Sequence, residues 1–190
     1  RRQDSTSEPT RLFPVVNTTL NLVKGSSLAW QQRKAEPFTV TPLHAGNRLL
    51  GYRRVSYCDH DTPNRRYYGG NRGISLGTAM TISGAAASPN MGYHSSPLIT
   101  FLLTLFNVRL GCWLGNTGTA GEGTFDRHAP AYGSWYLIAE ALGLTDDKNP
   151  FVYLSDGGHF DNLGLYEMVL RRCRFIVAVD ASCDPDRSME

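Results

Sequence analysis

The sequence predicts an α/β fold, and three observations near its C-terminal end carry that prediction. Phe151 to Leu154 is a short apolar run of strand-forming residues, followed at once by the loop Ser155-Asp156-Gly157-Gly158. A helical pattern comes next, roughly Leu163 to Arg172, with Leu163, Tyr166, Val169 and Leu170 at helical spacing. A second apolar run, Phe175 to Val179, ends at Asp180. Strand, loop, helix and strand make a βαβ unit, which is almost always right-handed and joins parallel strands. The expectation is that Phe151–Leu154 and Phe175–Val179 are neighbouring parallel strands, with Asp156 just past the carboxyl end of one. Open α/β sheets place ligands and catalytic groups at that end. Two glycines after an aspartate also allow a tight turn with positive φ and close backbone approach.

Composition bounds the rest. At 190 residues and 41% hydrophobic, the chain is long enough for one domain with a core. A formal net charge of +2 implies no strong field toward nucleic acid, and no nucleic-acid partner is expected. Cys58, Cys112, Cys173 and Cys183 are widely spaced with no CxxC pair, which points to a reducing compartment. Cys173 falls between the expected helix and strand, where a reduced thiol is common. The sequence starts at Arg1-Arg2-Gln3 without an initiator Met or signal peptide and stops just past the last apolar run. The expectation is one partial domain over residues 1–190, part of a longer parent chain. The longest apolar run, Pro97 to Asn107, falls short of the roughly 18–20 residues that span a bilayer. It suits a buried or interfacial helix, so a cytoplasmic site, or the cytoplasmic side of a membrane, is expected.

Residues 1–10 are polar and expected to be disordered. Leu12 to Leu22 alternates loosely and reads as a strand with Asn17 to Asn21 at its exit; Phe38 to Thr41 and Tyr52 to Tyr57 read as further strands. Asp59 to Gly73 has loop composition, with Arg65, Arg66 and Arg72 inside it and Arg54 upstream. Such arginines suit a phosphate-bearing headgroup, although a solvated basic loop is the commoner outcome. Cys58-Asp59-His60-Asp61 mixes soft and hard ligands, but their adjacency fits no standard geometry, and no metal is expected. Ser75 is placed to cap a helix whose inner face is Leu76, Ala79, Met80, Ser83 and Ala87, ended by Ser88-Pro89.

Chemistry concentrates on a few side chains. Asp156 can accept a proton or orient one, while as an ordinary Asp-Gly it would be a turn residue. Ser83, in Thr81-Ile-Ser-Gly-Ala85, is a rival nucleophile, but its neighbours read as helix and Thr81 stands where an elbow needs a very small residue. His159 is an alternative base, and equally an ordinary loop histidine.

The set of motifs resembles the patatin-like phospholipase family. Ile82-Ser-Gly-Ala-Ala-Ala-Ser-Pro-Asn-Met-Gly92, Asn107-Val-Arg-Leu-Gly111 and Tyr153-Leu-Ser-Asp-Gly-Gly-His-Phe-Asp-Asn-Leu-Gly164 look like the C-terminal half of large bacterial patatin-like proteins, over most of the chain from about Asn17 onward. The resemblance implies the C-terminal portion of a three-layer α/β/α fold with a mainly parallel sheet. It implies a Ser-Asp dyad in which Asp156 takes the place of the usual histidine base, with Gly157, Gly158 and Asn162 supporting its loop. Family members carry the serine on a GxSxG elbow and the oxyanion hole on a glycine-rich stretch. The sequence has no Gly-Gly-Gly run, and its GxSxG match, Gly73-Ile-Ser-Leu-Gly77, falls where Ser75 reads as a helix cap, so the nucleophile segment and the oxyanion glycines are expected in an upstream half of the parent chain, and the chain alone is expected to be inactive. The implied reaction is hydrolysis of a lipid acyl ester, with contact to a membrane surface and no cofactor. The competing readings are a non-catalytic domain that binds lipid or a partner through Pro97 to Phe106, and a self-contained hydrolase using Ser83.

Overall fold

The computed structural model describes residues 12–22, 34–55, 66–70, 73–85, 111–142 and 144–180. Six short strands form one sheet: β1 (Val16–Asn21), β2 (Ala35–Val40), β3 (His44–Asn47), β4 (Gly51–Arg54), β5 (Cys112–Gly115) and β6 (Phe151–Asp156). Their order is β4-β3-β2-β1-β6-β5, and each neighbouring pair is antiparallel. Three helices are described, α1 (Leu76–Ser83), α2 (Gly133–Ala141) and α3 (Leu165–Leu170).

The mainly parallel, three-layer α/β/α expectation is therefore wrong. The error lies at the second half of the expected βαβ unit. The first strand and the helix are present as β6 and α3, but Phe175 to Val179 forms no strand. Phe175, Val177 and Val179 are 80% exposed or more. The reason is geometric: β6 pairs with β1 on one edge and β5 on the other, so no edge beside it is open.

An apolar run such as Phe151 to Leu154 does belong to a strand covered on both faces, but an antiparallel sheet covers it here. Val152 and Leu154 face the main core of Leu20, Phe38, Leu114, Ala79 and Ile82. Phe151 and Tyr153 face the other way, onto Trp113 and Tyr136. The Trp113–Tyr153 and Tyr136–Phe151 ring centroids both lie 5.4 Å apart. Each fully buried side chain of this size contributes about 1.5–3 kcal/mol, so β6 is anchored from two sides.

The remaining elements follow local chemistry. Ser75 caps α1 by accepting from the Thr78 amide at 3.0 Å. The helix buries Ala79 and Ile82, whereas Leu76 and Met80, expected inside, are exposed. Asn17 to Asn21 lies within β1 rather than at its exit. Asn116 fastens the chain entering β6: its amide donates to the carbonyls of Asp147 and Asn149 at 2.8 Å each, and its oxygen accepts from the Gly118 amide. Residues 1–10, the Cys58–Asp61 group, Arg65, Arg72, Ser88-Pro89 and the Pro97–Asn107 run lie outside the described residues.

Candidate active site

Asp156 is the last residue of β6, paired in register with Thr18 of β1. Its Oδ1 accepts from the Gly158 amide at 2.7 Å and caps a short 3-10 turn, Gly157–His159. The side chain is half-buried, at the point where a strand covered on both faces gives way to a surface loop. That placement fixes the backbone under the carboxylate.

The two glycines serve close approach alone. Neither has the positive φ that Asp-Gly-Gly suggested. A Cβ on Gly157 would stand 2.5 Å from the Asn17 carbonyl oxygen, so β1 lies directly against the turn. A Cβ on Gly158 would stand 3.0 Å from Asn162 Oδ1 and 3.2 Å from Asp156 Oδ1, so Asn162 folds back over the turn beside the aspartate. Gly164 does have positive φ, at 66°, and opens α3. Asp161 holds that start, its two oxygens accepting from the amides of Leu163 at 3.2 Å and Tyr166 at 2.7 Å.

Polar side chains of β1 and β6 lie beneath the loop. Thr19 Oγ1 donates to the Gly157 carbonyl at 3.3 Å. Asn21 Nδ2 donates to Ser155 Oγ at 2.8 Å, and Ser155 Oγ lies 3.0 Å from His159 Nδ1. The Ser155 hydroxyl can donate to Nδ1 or accept from it, according to the ring tautomer.

Ser83 is the last residue of α1, and its hydroxyl donates to the Asn17 carbonyl at 2.7 Å. No hydrogen bond joins it to Asp156 among the described residues. Arg66 is engaged structurally: it grips both oxygens of Asp126 at 2.6 Å and stacks on Phe125. The pairing holds the Asp126 carboxyl below the usual range, chiefly through the Arg66 hydrogen bond. Among the described residues there is no cluster of His, Cys, Asp and Glu that would hold a metal, and no helix long and apolar enough to cross a membrane.

A cleft of about 270 Å³ lies between β2–β4 and α3, lined in part by Glu36, Tyr52, Tyr166 and Glu167. A wider cleft of about 760 Å³ adjoins it, sharing Thr39, Arg48, Tyr52, Glu167 and Leu170. Neither includes Asp156, so the candidate base stands apart from both.

The residues that sequence reasoning missed are Asn17, Thr19, Asn21 and Ser155. The signal available was an excess of polar side chains in a buried strand, Asn17-Thr-Thr-Leu-Asn21, where polar groups persist only with partners.

No protein-family model matches the chain, and no solved structure matches it. The chain is 33% identical over 87 residues to the lysophospholipase NTE1 of Scheffersomyces stipitis, covering 44% of this chain and 5% of that protein. It is 34% identical over 77 residues to the lysophospholipase NTE1 of Meyerozyma guilliermondii, covering 38% and 5%. It is 32% identical over 87 residues to that of Debaryomyces hansenii, covering 44% and 5%. The chain thus has distant, partial similarity to lysophospholipases and spans about 5% of the length of these curated relatives.

Proposed function

We propose that this chain carries the base of a lipid acyl-ester hydrolase of the patatin-like type, a Ser-Asp dyad in which Asp156 is the aspartate. The observation that carries the reading is the placement of Asp156. Its carboxylate stands half-buried at the end of a doubly covered strand and accepts from the Gly158 backbone amide. The partial similarity to lysophospholipases supports the substrate class. A nucleophilic serine needs a neighbouring base held at hydrogen-bond distance, and a carboxylate fixed by its own turn meets that need.

The steps balance without a cofactor. Asp156 accepts the proton of the serine hydroxyl as its oxygen attacks the ester carbonyl. The proton passes to the departing alcohol oxygen as the C–O bond breaks, leaving an acyl-enzyme. Water then attacks the acyl carbon, its proton goes to Asp156 and on to the serine oxygen, and the fatty acid leaves. Ser75 of the GxSxG match Gly73-Ile-Ser-Leu-Gly77 caps α1 by accepting from the Thr78 amide; in this reading the nucleophilic serine and the oxyanion donors belong to another part of the protein, and the chain alone does not turn over. Gly157, Gly158 and Asn162 shape the turn.

The test is Asp156→Asn in the full-length protein, with kcat/KM measured on a short-chain ester and circular dichroism confirming the fold. Asn keeps the shape and an acceptor oxygen but cannot take the proton. The loss expected of a positioned base is about 100- to 10,000-fold, or roughly 3–5.5 kcal/mol of barrier. His159→Ala should cost far less. Near-normal turnover in folded Asp156→Asn eliminates the dyad, and a larger loss in His159→Ala moves the base to the histidine.

A further inference from the structure

We infer that Asn17 is a positioning residue for the Asp156 carboxylate, and that Ser83 holds Asn17 in place; the inference rests on the reading of Asp156 as the base. Four observations converge on Asn17. It precedes Thr18, the residue paired with Asp156 across the β1–β6 ladder. Its backbone carbonyl lies so close to Gly157 that a Cβ there would stand 2.5 Å from it. Its side-chain amide lies against Gly164, where a Cβ would stand 2.5 Å from Nδ2. Its carbonyl also accepts the Ser83 hydroxyl at 2.7 Å. One residue of β1 therefore touches both glycines that bracket the loop from Asp156 to Gly164.

The choice of asparagine is the informative part. Asn17 Oδ1 is buried with no hydrogen-bond partner among the described residues. A buried acceptor without a donor is a cost that an apolar residue of similar size would avoid. Stability alone does not select it. Its shape does separate two stretches of backbone that have no side chains of their own at the point of contact. Withdrawing it would let the Gly157 end of the loop settle toward Gly164 and carry the carboxylate with it. Displacing a reacting group by about 1 Å is enough to cost on the order of 100-fold in rate. The hydroxyl of Ser83 fixes the height of the wedge from the α1 side. In this arrangement Ser83 acts through Asn17 and does not itself meet a substrate.

The experiment uses the full-length protein and a short-chain acyl ester. The variants are Asn17→Ala, Asn17→Asp, Ser83→Ala, Asp156→Asn and the double variant Asn17→Ala with Asp156→Asn. Asn17→Ala should lower kcat about 10- to 100-fold and leave KM nearly unchanged. Ser83→Ala should lower kcat less, in the same direction. In the Asp156→Asn background Asn17→Ala should bring no further loss, because a positioning residue has nothing left to position. Asn17→Asp preserves the outline and guards against loss of fold. It sets a second carboxylate against the loop, which raises the pH at which the base loses its proton and moves the acid limb of the kcat/KM profile upward.

Equal losses from Asn17→Ala with and without Asp156 would mark general damage and overturn the inference. So would normal turnover in folded Asn17→Ala, or an unmoved acid limb in folded Asn17→Asp. The Asp156→Asn arm reports on the base itself. An inactive Asp156→Asn beside an unaffected Asn17→Ala refutes the wedge alone, whereas an active Asp156→Asn refutes both.

Discussion

Gly157→Ala tests how the aspartate turn is seated. Gly157 is buried, and its φ is not positive, so alanine meets no dihedral penalty and the whole cost comes from contact. The new Cβ would stand 2.5 Å from the Asn17 carbonyl oxygen, 3.0 Å from its carbonyl carbon and 3.3 Å from Asn17 Cβ. Two of those atoms are strand backbone, pinned by ladders to β2 and β6, and cannot rotate away. Overpacking of this kind costs about 1–3 kcal/mol. The stiffer unfolded chain offsets about 0.4–1 kcal/mol, which leaves a net loss of roughly 1–2 kcal/mol. For a chain of this size each kcal/mol shifts Tm by about 2–4 °C, so Tm should fall by roughly 2–8 °C. The control is Gly123→Ala at an exposed position with no atom within 4 Å of the new Cβ, where Tm should hold or rise slightly. Thermal melts of the two variants beside the parent decide the matter. Equal Tm values for Gly157→Ala and Gly123→Ala would mean that the turn does not lie against β1.

Asn116→Ala should cost roughly 2–4 kcal/mol, because it strands the carbonyls of Asp147 and Asn149 and the Gly118 amide; the readout is a lower urea midpoint at unchanged slope. Burial raises the Glu36 carboxyl above the usual carboxylate range, and the charge of Asp147 adds to the shift. The folded protein therefore binds that proton more tightly than the unfolded chain, and stability falls as pH rises from the ordinary glutamate range through the raised folded value. Glu36→Gln keeps an acceptor for Asn47 Nδ2, now at 3.1 Å from Glu36 Oε2, so it should flatten that part of the curve and raise stability at neutral pH. Urea midpoints across the acid range that run parallel in the two proteins would contradict it. Conversely, the Arg66 partner depresses the Asp126 carboxyl, so that contribution is present above the ordinary aspartate range and fades as pH falls through the depressed value; Arg66→Ala should remove the fade in the same melts.

Fold class was the part least legible in the residues. Phe151 to Leu154 reads correctly as a strand covered on both faces, yet double coverage does not specify a parallel sheet. The second cover is an aromatic patch contributed by Trp113 and Tyr136, and nothing in local periodicity places either against β6. Phe175 to Val179 has strand composition, but both edges of β6 are already taken, by β1 and β5. Strand propensity describes what fits a pleated surface, not whether one is available. The strands β3 and β5 passed unnoticed because His44-Ala-Gly-Asn47 and Cys112-Trp-Leu-Gly115 are four residues long and carry glycine; pairing with a neighbour makes them strands.

The failed βαβ unit bears on the candidate site less than its position suggests. What places Asp156 is local: a strand anchored by its own side chains, an aspartate capping a turn through Gly158, and Asp161 starting α3 from across the loop. None of these contacts requires β6 to lie in a parallel sheet. They do depend on residues far away in sequence, Asn17, Thr19 and Asn21, which meet the turn from β1. An Asp-Gly-Gly motif therefore announces the carboxylate but not its support, because the support is set by the pairing of β1 with β6. The asparagines and threonine of β1 look like an edge or exit in the sequence and serve as the floor of the candidate site in the fold. That division predicts where substitutions would separate: in the motif itself they would alter turnover, and in the floor they would alter turnover only through the position of Asp156.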